Sequence, residues 1–167
     1  MLLTREADYA VMCILEVARE GRISAAEVAR RNGISASFLA NIVHSLAKAG
    51  IALTTRGAGG GVSLARPAES LTVLEVIEAV QGPLSLHACV DRPEDCPRIM
   101  GCTVHPLLCL LQRRLREGLD VSFAELLDGH EQEIVTKIAE SIDTGDDDPT
   151  SGNGQTTTLA AARGDVA

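Results

Sequence analysis

At 167 residues the chain has room for one domain with accessory elements. Its content is 46% apolar but only 2% aromatic, so any core must be aliphatic. No stretch approaches the roughly 20 apolar residues of a membrane helix, and Arg5, Glu6 and Asp8 are unlike a signal region, which predicts a cytoplasmic protein with no membrane partner. The net charge of −8 argues superficially against nucleic acid, but it is unevenly spread. Residues 1–66 carry eight Lys/Arg against five Asp/Glu, a net of +3, whereas residues 67–167 carry seven against eighteen, a net of −11. The front of the molecule is therefore suited to an anion and the back repels one.

In chain order, residues 4–19 place Ala7, Val11, Ile14, Leu15 and Ala18 at helical spacing, and Gly21 stops that helix. Ser24 and Glu27 have the S-x-x-E spacing of a capping box and open a short second helix, which Gly33 ends in a tight turn. A third helix opens at Ser35 and runs to Gly50. Leu39, Ile42, Val43 and Leu46 form its apolar stripe, with Ser37, Asn41, His44 and Lys48 opposite. Three helices with a Gly-containing turn before the last make a helix-turn-helix. Residues 51–55 and 62–66 then read as short strands joined by "RGAGGG", a wing ended by Pro67.

Thr72 and Glu75 form another capping box on a helix to about Gln81. "CVDRPEDCPRIMGCTVH" (89–105) reads as a loop. A long helix follows from about Thr103 to Leu119, with Val104, Leu107, Leu108, Leu111 and Leu115 on one stripe. Ser122 and Glu125 cap a final helix to about Ser141, and the polar, Gly/Pro-punctuated residues 142–167 are expected to be disordered. No internal repeat is present. The fold expected is mainly α: a winged helix-turn-helix over 1–66, then a helix, cysteine loop and long C-terminal helices over 67–141.

A helix-turn-helix lays its second helix in the major groove of double-stranded DNA with its N-terminal residues at base edges. Here these are Ser35, Ser37, Phe38 and Asn41, with Lys48 further along the same helix. An Asn amide pairs in bidentate fashion with adenine, and Ser bonds base edges or phosphate. Arg56 of the wing suits a minor groove, where Gly57, Gly59, Gly60 and Gly61 let the backbone come close. The opposing reading is an ordinary solvated helix face and glycines that merely close a hairpin. No Gly-Lys-Ser/Thr follows the glycines, which argues against a phosphate-binding enzyme loop.

Cys89, Cys96 and Cys102 follow C-x6-C-x5-C, with His105 three positions beyond. Cytosolic thiols stay reduced, so such a group points to metal or catalysis rather than disulfides. Iron–sulfur clusters are held by thiolates, with histidine an attested replacement, and wide proline-bearing spacing lets a loop wrap an inorganic core. Structural zinc sites favour tighter C-x2–4-C knuckles. Zinc, spare surface thiols and a nucleophile activated by His105 are the other readings. No orienting acid or oxyanion element accompanies the last. Cys13 and Cys109 read as packing residues within helices.

"MLLTREADYAV", "GISASFLANIVHSLAKAGIALTTRGAGGGVSLARPAESLTVLEVIEAVQGPL" and the three-cysteine segment together resemble the Rrf-type family of winged-helix regulators, over about residues 1–140. The resemblance implies a homodimeric transcription factor, usually a repressor, that binds an inverted-repeat operator under control of an iron–sulfur cluster. It makes the long helix after the cysteines the dimerisation helix. Cys89, Cys96 and Cys102 match the cluster cysteines. His105 matches the histidine of the IscR-type 2Fe–2S site, and Asp8 the first-helix acid that in NsrR-type proteins reaches the 4Fe–4S cluster of the other subunit. Both fourth ligands are thus present, with His105 and 2Fe–2S favoured by locality. The first cysteine gap is one residue longer than in IscR, and Ala40 stands where IscR carries a glutamate that tunes operator choice. A zinc-stabilised or metal-free thiol-sensing regulator is the alternative.

Overall fold

The computed structural model describes residues 3–57, 59–129 and 131–143. The expected tail falls largely outside them. Helix α1 (Arg5–Glu20) starts where Thr4 Oγ1 accepts the Ala7 N–H and ends at Gly21, whose φ of 72° suits glycine. Its inward face is Ala7, Ala10, Cys13, Ile14 and Val17, all fully buried. A two-residue strand β1 (Arg22–Ile23) leads to α2 (Ala25–Arg31). Ser24 caps α2 through the Glu27 N–H, but the reciprocal half of the expected box is replaced: the Glu27 carboxylate receives Arg30 and Arg31 instead. Those guanidiniums hold its pKa down to about 2.

Gly33, at φ 63°, makes the turn into α3 (Ala36–Lys48), which Ser35 caps. Leu39, Ile42, Val43 and Leu46 of α3 are buried, as their spacing predicts. The wing is β2 (Ala52–Thr55) and β3 (Gly61–Leu64), with Thr55 opposite Gly61. The sheet has a third strand that the sequence reading lacks. β1 pairs antiparallel with β3, Arg22 against Ser63 and Ile23 against Val62, giving the order β1-β3-β2. Two residues carry no alternation to read, so only tertiary pairing reveals β1.

Thr72 and Glu75 form the expected reciprocal box on α4 (Val73–Gln81). The segment read as a loop contains a short helix, α5 (Ala88–Asp91), and two single 3-10 turns at Pro93–Asp95 and Ile99–Gly101. Next comes α6 (His105–Leu119). Ser122 and Glu125 again form a reciprocal box, but the helix expected to reach Ser141 is two: α7 (Phe123–Leu127) and α8 (Glu131–Asp143). Gly129, at φ 73°, lies between them and accounts for the break.

One core joins the two halves of the chain. Leu71, Val76 and the fully buried Phe123 share it with Ile14, Leu39 and Leu46. The backbone fastens the same region, since Phe123 N–H donates to Leu71 O (2.9 Å) and Val73 N–H to Val121 O (3.0 Å). A second, smaller core lies between α1, α4 and α6 around Ala7, Ile77 and Leu84. Among the described residues no helix is long and apolar enough to cross a membrane.

The wing is anchored by close backbone approach at Gly61, where a Cβ would stand 2.5 Å from Ile23 O. Gly61→Ala must force β3 away from β1, so it is expected to cost about 1–3 kcal/mol as overpacking and to lower the melting temperature. Gly101→Ala, with nothing within 4 Å of the added Cβ, should leave it unchanged.

Candidate DNA interface and cysteine centre

The exposed face of α3 carries Ser37, Asn41, His44 and Lys48, as the helical period requires. Ser35 has a second task. Its Oγ accepts the Phe38 N–H (3.2 Å) and lies 3.1 Å from Ser37 Oγ, so the two hydroxyls are ordered at the helix start. Phe38 is half-buried and stands edge-on to Tyr9, with ring centroids 5.8 Å apart at 89°. The Arg5 guanidinium lies 6.0 Å above the Tyr9 ring. Arg56, Gly57 and Gly59 are exposed at the wing tip and Gly60 is half-buried. Ala40 and His44 of α3 face Thr54, Thr55 and Gly60 across a groove of roughly 440 Å³ between recognition helix and wing.

The cysteine segment forms the other site. Cys89, Cys96 and Cys102 line one open pocket of roughly 620 Å³, together with His87, Arg98 and Met100. Cys89 is buried and the other two are half-buried. Burial, and then the charges of Cys96 and Cys102, holds the Cys89 thiol above the ordinary cysteine range. His87 caps α5, its Nδ1 accepting the Cys89 N–H at 3.3 Å. His105 opens α6 and pairs with Cys109 one turn on, with Nε2 3.4 Å and Nδ1 4.0 Å from the sulfur. Asp8 is exposed on α1. Among the described residues no three His, Cys, Asp or Glu are already gathered at metal-binding distances. Cys13 is separate from this site: burial, aided by Glu16, pushes its thiol up to about 12.

The chain entering the cysteine centre is clamped. Buried Gln112 of α6 accepts the Leu86 N–H at 2.7 Å and donates to Leu84 O. Glu78 of α4 accepts the Leu84 N–H at 2.9 Å and is paired with Arg116 of α6. Gln81, at the end of α4, accepts the Thr4 N–H at 2.9 Å, which ties α4 to the start of α1. His105, Cys109, Gln112 and Arg116 are spaced i, i+4, i+7, i+11, a polar stripe on α6. Val104, Leu107 and Leu111 are 52%, 53% and 48% exposed, whereas Leu115 packs against the smaller core.

The model of one family, described as Rrf2, iron-dependent transcriptional regulator, matches residues 3–129. The chain belongs to the Rrf2 family. It is 34% identical over 139 residues to the HTH-type transcriptional regulator IscR of Erwinia tasmaniensis, covering 81% of this chain and 84% of that protein. It is 33% identical over 147 residues to protein aau3 of Rhizobium meliloti, covering 85% and 89%. Two solved structures share the fold at 24% identity. IscR of T. potens has a TM-score of 0.62 over 78% of this chain and 89% of that one. CymR, the global cysteine regulator of B. subtilis, has a TM-score of 0.60 over 74% and 94%. As an Rrf2 member the protein is a DNA-binding transcriptional regulator with a winged helix-turn-helix.

The structure thus brings the three sequence-predicted cysteines of this Rrf2 protein to one pocket and seats His105 beside Cys109. Sequence reading took Cys109 as a packing residue and did not single out His87 or the Gln112–Glu78–Arg116 clamp. Polar residues recurring at helical period inside an apolar helix were the available signal for the α6 members. His87 stands two positions before the first cysteine and had no spacing rule to mark it.

Burial works to raise the Glu78 pKa, but the Arg116 and Leu84 hydrogen bonds outweigh it and hold it below the ordinary value. A depressed carboxylate adds stability above its unfolded pKa of about 4.3 and loses it as pH falls through the folded value. The melting-temperature deficit of Glu78→Gln is therefore expected to be full at pH 7 and to shrink below about pH 4, measured by thermal scans across that range.

Proposed function

We propose that this Rrf2 regulator is a homodimeric repressor whose DNA affinity is set by an iron–sulfur cluster at the cysteine pocket. The observation that carries the reading is the convergence of Cys89, Cys96 and Cys102 on one pocket, where burial and then the charges of its two neighbours oppose ionisation of Cys89. A shared cation centre removes that opposition, and soft thiolates suit iron–sulfur clusters. The fourth ligand in this reading is His105, with Asp8 of the other subunit as the alternative. Locality supports His105, on the opening turn of the helix that follows Cys102. The adjacent Cys109 sulfur gives its second ring nitrogen the outer partner that ligating histidines usually have. A 2Fe–2S core follows from His105, a 4Fe–4S core from Asp8. When bound, the cluster supplies a charge that changes on oxidation or reduction.

Residues 1–66 read DNA and residues 67–141 hold the sensor and dimer face. Support for the homodimer comes from the start of α6, where the N-cap Val104 and the helix residues Leu107 and Leu111 leave an apolar face in solvent. A two-fold dimer reads an inverted repeat with half-sites about 34 Å apart or a multiple. Ser35, Ser37, Phe38, Asn41 and Lys48 on α3, with Arg56, Gly57, Gly59 and Gly60 on the wing, form the contact surface. A metal-free thiol-sensing or zinc-stabilised regulator is the second reading. Its support is that Cys89, Cys96 and Cys102 are free thiols on one open pocket.

Purification without oxygen decides between them. The cluster reading expects brown protein with iron and acid-labile sulfide in comparable amounts, and weak protein absorbance beneath, since the chain has one Tyr and no Trp. Colourless protein with about one zinc per chain, or metal-free thiols that oxidise to disulfide, overturns it.

On DNA, Arg56→Ala is expected to weaken binding uniformly across sequences and to reduce the salt slope by about one. Asn41→Ala should instead relax base preference, by about 1–3 kcal/mol for a bidentate contact. Gel-shift titrations at several salt concentrations on operator and mismatched DNA separate the two effects.

A further inference from the structure

We infer that His44 of α3 contacts a phosphate of the DNA strand lying between recognition helix and wing. It takes up a proton as it does so, and DNA affinity therefore rises as pH falls. The inference rests on the reading of α3 and the wing as the DNA surface, and it is independent of the cluster. Two observations carry it, one of geometry and one of charge.

His44 is exposed on α3 and lines the groove between recognition helix and wing. With α3 in the major groove and the wing tip in the adjacent minor groove, the sugar–phosphate strand that divides those grooves lies over this space. The polar lining besides His44 is Ser24, Thr54 and Thr55, and the rest is small or aliphatic. Ser24 Oγ accepts the Glu27 N–H, which leaves its own hydroxyl proton to donate, and the two threonines are exposed. Hydroxyls and an imidazole N–H are donors that suit phosphate oxygens. Gly60 and Gly61 form the wing-side wall without a side chain to keep a strand away.

The charges point the same way. No Asp or Glu occurs between Glu27 and Glu69, a tract that contains all of α3 and the wing. Within it, Arg30 and Arg31 are committed to Glu27, and Arg66 to Glu75. Lys48, one turn beyond His44, and Arg56 at the wing tip have no ion pair with a described residue. The His44 ring likewise has no hydrogen bond or ion pair among the described residues. Of the other elements packed on the groove, β1 carries Arg22, and the one acid of α2 is the already paired Glu27. A phosphate seated in the groove thus brings an anion to a ring that faces no carboxylate there. Histidine changes charge between about pH 5 and 8, unlike lysine or arginine. An opposite charge within hydrogen-bond reach favours the imidazolium, so the ring gains one proton from solvent and donates an N–H to the phosphate oxygen.

The test is binding of the full-length protein, purified without oxygen, to a mixed-sequence duplex at several salt concentrations, at about pH 6 and about pH 8. Mixed sequence suffices because a phosphate contact does not depend on the bases. His44→Gln keeps an N–H donor but cannot charge, whereas His44→Lys is charged at both pH values. The wild type is expected to bind several-fold more weakly at the higher pH, with a salt slope smaller by up to about one for each bound chain. His44→Gln should show the smaller slope throughout and lose most of the pH response. His44→Lys should keep the larger slope throughout. A pH response in His44→Gln equal to that of the wild type overturns the inference and assigns the proton to another group. A slope in His44→Lys no larger than that of the wild type at the higher pH also overturns it, since residue 44 is then out of reach of phosphate. An effect of His44→Gln on operator DNA alone overturns it in favour of a base contact. Wild-type binding by Arg56→Ala is a different failure, that of the DNA surface itself.

Discussion

The structure depends on how closely α1 lies against α4. Residues 7 and 10 of α1 are alanines with no exposed surface, and Ile77 of α4 packs with Ala7. Small side chains at the crossing let two helix backbones approach, which larger ones would prevent. Along the same inward face α1 buries Ala10, Cys13, Ile14 and Val17 in the core that also takes Leu39 and Leu46 from α3 and Phe123 from α7. One helix is therefore shared by the DNA-reading half and the cysteine-bearing half. A Leu or Phe at position 7 or 10 would separate them.

From that crossing the connections run both ways. Toward DNA, Tyr9 on α1 meets Phe38 at the start of α3. Toward the cysteines, Gln81 and Glu78 on α4 hold the starts of α1 and of the segment entering the pocket. Gln112 and Arg116 complete the hold from α6. The backbone groups of Leu84 and Leu86 are thus satisfied by side chains rather than by a sheet or helix ladder. Those bonds join the segment that enters the cysteine pocket to α4 and α6, and Gln81 joins α4 to the start of α1.

Much of this was legible because the local signals agree with one another. The stripe Leu39–Ile42–Val43–Leu46 and the caps at Thr72 and Ser122 each mark an element whose chemistry is complete within a few residues. The cysteines were legible as a group for the same reason. The misses share the opposite property. Strand β1 exists only because Val62 pairs with Ile23, and Gln112 is buried only because Leu84 and Leu86 need its amide. Glu27 has the spacing of a capping box, yet two arginines compete for its carboxylate and win through charge. His105, grouped with the three cysteines by sequence distance, stands one helical turn from Cys109.

The central claim is that the state of the cysteine centre controls DNA binding. The most direct measurement is the operator affinity of one anaerobic preparation, before and after the cluster is removed by chelation, at fixed salt and protein concentration. The two affinities are expected to differ, by about 5- to 150-fold if the coupling has the usual size of about 1–3 kcal/mol. Equal affinities in a preparation that demonstrably held and then lost its cluster would contradict it.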